Sequence, residues 1–326
     1  MIHHSQIIKD IDLDSVSLRS KNYFYLHLVS NALGLPVYLP LMIAKGNKEG
    51  PVLGLTAAVH GDEVNGTQTI QRLFEELEVD DLKGTIIAIP IVNIPAYEEV
   101  QRKYTDGEDL NRIMPGKENG SESAVYAHRF VQKIVSHFNY LLDLHTASDG
   151  RINSYYIRAN LKKPITRRLA ELQDADIIVH NTPSDGTLRG TASEMGIPAI
   201  TIEVGNPNTF QKKMIKSGMV GIYNVMSHLE MTRDTIETDN RDTVVCSKSY
   251  WIYTDAGGLL TVYPELTQKI KKGDLIAIIR DVFGNIIKEY YAPEDGIVIG
   301  KSKSPANKTG GRILHLGIID RNGIFS

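Results

Sequence analysis

His60 and Glu63 stand three residues apart where the apolar run VLGLTAAV (52–59) gives way to HGDEVNG (60–66). A histidine and a carboxylate at that spacing can hold a divalent cation, provided a third ligand comes from elsewhere. YLLDLH (140–145) ends a second apolar run on His145, and AITIEV (199–204) brings Glu203 near the end of a third. His60, Glu63 and His145 form a two-histidine, one-carboxylate set with a fourth position left for water, the arrangement of a catalytic zinc. Asp143 lies two residues before His145 on the same strand face and can accept the second N–H of a ligand histidine. Glu203 remains free as the base for a water at the open position. Each residue also has a plainer reading: His60 as a solvated turn histidine, Glu203 as a strand-end acid capping the next helix. His180, ending IIVH (177–180), is a rival ligand. What favours the metal is that these groups end separate strands of one sheet, with Asn93 closing TIIAIPIVN (85–93) beside them. In open α/β sheets, that carboxyl edge is where ligands bind.

The elements that must position these groups alternate along the chain. Strand patterns occupy 22–29, 36–44, 52–59, 85–93, 140–145, 154–159, 177–180 and 199–204. Between them, 64–78 reads as a helix through Ile70, Leu73, Phe74 and Leu77, and 122–138 as another with Ser121 as N-cap. A long helix spans 209–231. Near-continuous apolar strands alternating with helices predict an α/β fold, a mixed, mostly parallel sheet with helices on both faces. From 232 to 245 the composition turns polar and the helical pattern stops, which predicts a catalytic domain over 1–240. Beyond it, AGG, KKGD, FGN, PEDG and NKTGGR punctuate short alternating runs, the pattern of a small all-β domain over 241–326.

The polar segment QRKYTDGEDLNRIMPG (101–116) is long for a connection, and loops of that kind usually serve function. It carries Arg102, Asn111 and Arg112. A guanidinium can grip a carboxylate with two parallel hydrogen bonds, and one near a metal can neutralise a tetrahedral oxyanion.

Composition sets the outer limits. With 326 residues, 42% hydrophobic and 23% charged, the chain reads as ordinary soluble protein, and a net charge of −3 gives no basic field for nucleic acid or anionic lipid. The apolar run at 35–44 contains two prolines and is too short to span a bilayer. A single cysteine, Cys246, excludes an internal disulfide and fits a reducing compartment. The N-terminal MIHHSQIIKDIDLDSV has no signal-peptide pattern, so the expected location is the cytoplasm.

HGDE (60–63), NIPA (93–96), DLNR (109–112) with PG (115–116), DLHT (143–146) and TIEVG (201–205), in that order, resemble the succinylglutamate desuccinylase/aspartoacylase family of zinc deacylases, relatives of the zinc carboxypeptidases. The resemblance covers residues 34–232, and the tail is similar to the biotinyl/lipoyl-like β domain of one branch of that family. It implies one zinc per chain held by His60, Glu63 and His145, with Glu203 as general base and later proton donor to the amine. It further implies that Arg102 polarises the scissile carbonyl, that Asn111 and Arg112 bind a substrate carboxylate, and that Arg189 in GTLRG is another substrate-binding arginine. The tail has no lysine between two methionines at a hairpin tip, so covalent biotin is not expected, and its role is structural or that of a wall narrowing the cleft. The expected activity is removal of an acyl group from a small N-acyl amino acid, with neither nucleic acid nor membrane as partner and a homo-oligomer left open. A metallocarboxypeptidase acting on peptide C-termini is the alternative among enzymes, and a non-catalytic binding module that keeps the pocket is the alternative outside them.

Overall fold

The computed structural model describes all residues except 1–5, 234, 239–241, 322, 324 and 326. The chain opens with β1 (Gln6–Ile8), β2 (Ser20–Ser30) and β3 (Pro36–Lys45). It then alternates through β4 (Lys48–Ala57), α1 (Asn65–Glu76), β5 (Lys83–Ile89), α2 (Ile94–Glu98), α3 (Glu122–Lys133) and β6 (Tyr140–His145). After β7 (Arg151–Asn153) and β8 (Tyr155–Ala159) come α4 (Pro164–Glu171), β9 (Ile177–His180), α5 (Leu188–Glu194), β10 (Ala199–Val204) and α6 (Lys212–His228). The remainder is all strand: β11 (Val244–Tyr253), β12 (Gly258–Val262), β13 (Lys269–Ile270), β14 (Leu275–Arg280), β15 (Ile286–Tyr291), β16 (Gly296–Ser302), β17 (Ala306–Asn307) and β18 (Arg312–Ile319).

The main sheet runs β1-β2-β3-β5-β4-β6-β10-β8-β9-β11-β18-β16-β13, with β7 beside β16. Its centre, β5-β4-β6-β10, is parallel, as the apolar strand runs predict. The flanks make the sheet mixed, as expected: β3 is antiparallel to β2 and β5, and β8 to β10. Antiparallel neighbours need only short connections, as between β2 and β3, whereas parallel ones need a crossover. Strand residues alternate between two cores. Leu53, Leu55, Leu142, Leu144, Ile200 and Ile202 face α1, α4 and α6, where Ile70, Leu73 and Phe74 fill the space. Leu141, Ile87, Ile89 and Ala199 face α3 and α5, with Tyr126, Phe130 and Leu188. Removing an aromatic such as Phe74 from such a core costs about 3–5 kcal/mol.

The all-β tail has its own small core, built on Leu260, Ile276, Val298, Ile313 and Leu316. It is also hydrogen-bonded into the sheet. β11 pairs in parallel with β9, and β16 pairs antiparallel with β7 at Gly300 and Asn153. These ladders satisfy an edge that would otherwise present unpaired backbone groups. The boundary expected at 240/241 lies outside the described residues. No helix among the described residues is long and apolar enough to cross a membrane.

Candidate active site

The turn after β4 answers why an apolar strand ends on a histidine. β4 stops at Ala57, and Ala58 adopts a left-handed backbone with φ 50°, a costly conformation for a residue with a Cβ. The amides of Val92 and Asn93 donate to the carbonyls of Ala57 and Ala58, holding that conformation in place. The chain then passes so close to α2 that a Cβ on Gly61 would lie 2.2 Å from Ala96. Glu63 N donates to His60 O at 3.1 Å, and the turn leads directly into α1.

His60, Glu63 and His145 converge as the sequence predicts. All three are buried, and one ligand atom from each lies within 4.8 Å of the others; no other such group of His, Cys, Asp or Glu occurs among the described residues. His145 Nδ1 is 2.9 Å from Glu63 Oε2. His60 Nδ1 is 2.8 Å from Glu63 Oε1, yet it is buried without a hydrogen-bond partner. That orphaned nitrogen, beside a carboxylate to which it makes no bond, fits a shared cation. Nitrogen and oxygen donors in this ratio suit zinc. Burial by itself disfavours the charged imidazoles, but Glu63 with Asp109 at His60, and Asp143 with Glu63 at His145, outweigh it and hold both above their ordinary value. Burial likewise opposes ionisation of Glu63, and the two histidines overcome it, drawing the carboxyl well below the usual range. This buried spot is set up for positive charge.

The second nitrogens are also engaged. His145 Nε2 meets Asp143 Oδ2 at 2.8 Å, as expected, and Asp143 Oδ1 accepts from Thr56 Oγ1 at 2.7 Å. His60 Nε2 meets Asp109 Oδ1 at 3.0 Å. Asp109 was not legible as a partner, because it lies in the 101–116 loop and not at the end of a strand. It also N-caps the 3₁₀ turn Leu110–Arg112 and accepts from Arg102 Nε and Nη2 at 3.2 and 2.9 Å. Arg102 Nη1 donates in turn to Glu63 Oε1 at 3.1 Å and to Ser148 Oγ. Carboxylates that orient ligand histidines in this way fix the ring and raise its basicity.

Glu203 sits beside the trio because β10 and β6 are in register, Glu203 opposite His145 and Thr201 opposite Asp143. On its other side Glu203 pairs with Tyr156 across the antiparallel β8. Tyr156 Oη donates to Glu203 Oε1 and Asn153 Nδ2 to Oε2, each at 3.2 Å, while Arg158 Nε lies 3.4 Å from Oε1. Burial, outweighing Arg158, pushes the Tyr156 phenol far above its ordinary value, so it stays a donor.

Asn111, Arg112 and Arg189 line the same cavity of about 520 Å³. Asn111 Oδ1 accepts from Leu188 N at 2.8 Å, which ties the loop to the start of α5 and leaves the amide N–H groups free to donate. Arg112 is exposed, and its Nη1 donates to Asn111 O at 2.8 Å. Arg189 is buried and donates to Asn181 O at 2.9 Å and to Asn181 Oδ1; burial and Arg158 bring its pKa down to about 10. The tail closes the cavity with Trp251, Arg312 and His315, joined by Arg151 of β7. This matches the expectation of a wall. Two sequence readings fall away: Asn93 is turned to the backbone, donating to Val59 O and capping α2, and His180 accepts from Leu161 N, away from the trio.

Comparison with known proteins shows the fold and the family. A curated N-alpha-acetyl-L-2,4-diaminobutyric acid deacetylase of Halomonas elongata is 24% identical over 278 residues, 81% of each chain. A succinylglutamate desuccinylase of Pseudomonas paraeruginosa is 26% identical over 202 residues, 58% of this chain and 59% of that protein. The product-bound structure of the ectoine utilization protein EutE (DoeB) from Ruegeria pomeroyi shares the fold, with a TM-score of 0.85 over 93% of this chain and 98% of that one at 22% identity. The succinylglutamate desuccinylase/aspartoacylase catalytic-domain model matches residues 49–229, more than half of the chain and all three strands that end at the trio and Glu203. The chain belongs to that family.

Proposed function

We propose that this protein is a zinc-dependent deacylase that hydrolyses the amide of a small N-acyl amino acid. The observation that carries this reading is the convergence of His60, Glu63 and His145 with Glu203 and two arginines without an ion pair among the described residues, Arg112 and Arg189, in one cavity. The names of the Halomonas and Pseudomonas relatives, a deacetylase and a desuccinylase, point the same way.

His60 Nδ1, His145 Nδ1 and Glu63 would hold the zinc, which when bound supplies a Lewis acid that acidifies water and polarises a carbonyl. Glu203, oriented by Tyr156 and Asn153, takes the proton of the attacking water and later delivers it to the leaving nitrogen. Arg102, held by Asp109, donates toward the carbonyl oxygen as negative charge develops there. Asn111 through its amide N–H, with Arg112 and Arg189, grips the substrate carboxylate and fixes the scissile bond. In this reading residues 1–240 carry the chemistry, residues 241–326 supply the wall, and the lone buried Cys246 suits the cytoplasm.

Screening zinc-loaded protein against N-acyl amino acids and against peptides with free C-termini tests the reading. We expect amine release from the former. Release of C-terminal residues from peptides alone would make it a carboxypeptidase, and turnover of neither class would make it a binding module.

A further inference from the structure

Charge pairing sorts the arginines of the cavity into three groups. Arg102 is answered by Asp109 and Glu63, and Arg158 by Glu203. Arg112 and Arg189 donate only to neutral oxygens, and the proposed function assigns them one substrate carboxylate. Arg151 and Arg312 are left over. They begin β7 and β18, and both lie against the sole tryptophan, with guanidinium carbons 5.8 and 5.5 Å from the centre of the Trp251 ring.

Neither guanidinium has an ion pair or a side-chain hydrogen bond among the described residues. Nothing negative comes from the neighbouring imidazole either. His315 stacks on Trp251 at 5.1 Å and 10°, and its Nε2 meets Ser249 Oγ at 2.9 Å. Burial, with Arg158, Arg312 and Arg151 around it, holds this histidine neutral, well below its ordinary value. Arg151 itself is pulled down by burial and by the positive fields of Arg312 and Arg102, which outweigh the negative fields of Glu63 and Glu203. Two like charges that face one partly enclosed space, neither held in an ion pair among the described residues, gain most from an anion that enters it, and the indole ring beneath them supports both.

We infer that Arg151 and Arg312, both lying over Trp251, form a second anion subsite that takes a second carboxylate of the substrate. The inference rests on the deacylase reading and sharpens its substrate class to N-acyl amino acids with two carboxylates. The second carboxylate belongs either to a dicarboxylic acyl group or to an acidic amino-acid side chain. A free ammonium at this position is disfavoured, which separates the chain from its Halomonas relative, named for a substrate that carries a second amino group.

Because Trp251 is the only tryptophan, its emission reports the subsite without any turnover. At constant ionic strength, succinate should produce a saturable change in emission. The Arg151→Gln and Arg312→Gln variants, checked for an unchanged thermal midpoint, should each weaken that binding about 10- to 100-fold, the usual worth of a charge-assisted hydrogen bond. Diaminobutane should not bind there. In the kinetic arm, N-succinylalanine or N-acetylglutamate should exceed N-acetylalanine in kcat/KM, and both variants should collapse that ratio; which of the two is preferred locates the second carboxylate. Succinate binding unchanged in both variants, or equal kcat/KM on all three substrates, overturns the subsite. If none of the three is hydrolysed, the deacylase reading fails and the fluorescence titration alone decides the subsite.

Discussion

On the floor of the cavity the charges are answered; on the wall that the tail builds with β7 they are not. Arg102 is clasped by Asp109 and Glu63, His145 by Asp143 and Glu63, and Glu203 by Tyr156, Asn153 and Arg158. On the wall, Arg151 and Arg312 lie over aromatic rings and form no ion pair among the described residues, and Glu63 and Glu203 act on Arg151 only from a distance. Paired groups on the floor hold a fixed geometry before any substrate arrives, as chemistry requires. Unpaired groups on the wall gain most when a ligand brings the missing charge, as recognition requires. The contrast also predicts different costs. Removing one partner from a buried pair strands a charge and typically costs about 3–5 kcal/mol, whereas removing a half-exposed, unpaired arginine leaves the fold nearly untouched.

The largest expected effect is on the floor itself. His60→Ala or His145→Ala should abolish both zinc binding and turnover, since two remaining ligands cannot retain the ion; metal analysis after dialysis is the measurement. A variant that keeps a full complement of zinc would show that the floor is not a metal site. Next comes Glu203→Gln, which is close to isosteric and can keep contacts with Asn153 and Tyr156. It should retain zinc and thermal midpoint while losing turnover by about 10³- to 10⁴-fold, the upper range for general-base catalysis. Near-normal rate in a zinc-loaded variant would leave the floor without its base.

The smallest effect belongs to the wall. His315 is held neutral in the fold, with its pKa well below the ordinary 6.5, so below pH 6.5 the unfolded chain binds more protons than the native one. Stability therefore falls as pH drops through that range, with a slope from this one group of at most about 1.4 kcal/mol per pH unit. His315→Gln should flatten the pH dependence of the unfolding free energy by that single-proton slope, whatever it does to stability at pH 8. An unchanged slope would mean that the imidazole does not feel Arg151, Arg158 and Arg312 as described.

Residue type and position at the ends of apolar runs were enough to pick out the floor. His60 and Glu63 follow, and His145 and Glu203 end, strands whose burial is written in their own composition, and a sheet aligns its strand ends whatever the loops do. The second partners were not visible in this way. Asp109 reaches His60 only because its loop folds back to cap a 3₁₀ turn beside the His60, Glu63 and His145 trio. Tyr156 meets Glu203, and Trp251 meets His315, only because an antiparallel register sets them directly opposite each other. Register depends on how whole strands pack and on where β8, β11 and β18 enter the sheet, and a slip of one residue would turn each of these side chains to the other face. Local chemistry thus determined which groups meet on the floor of the cavity. The order of strands across the sheet decided what holds them, and it brought Arg312 from the last strand to Arg151 on a single indole because β18 pairs with β11 and β16 with β7.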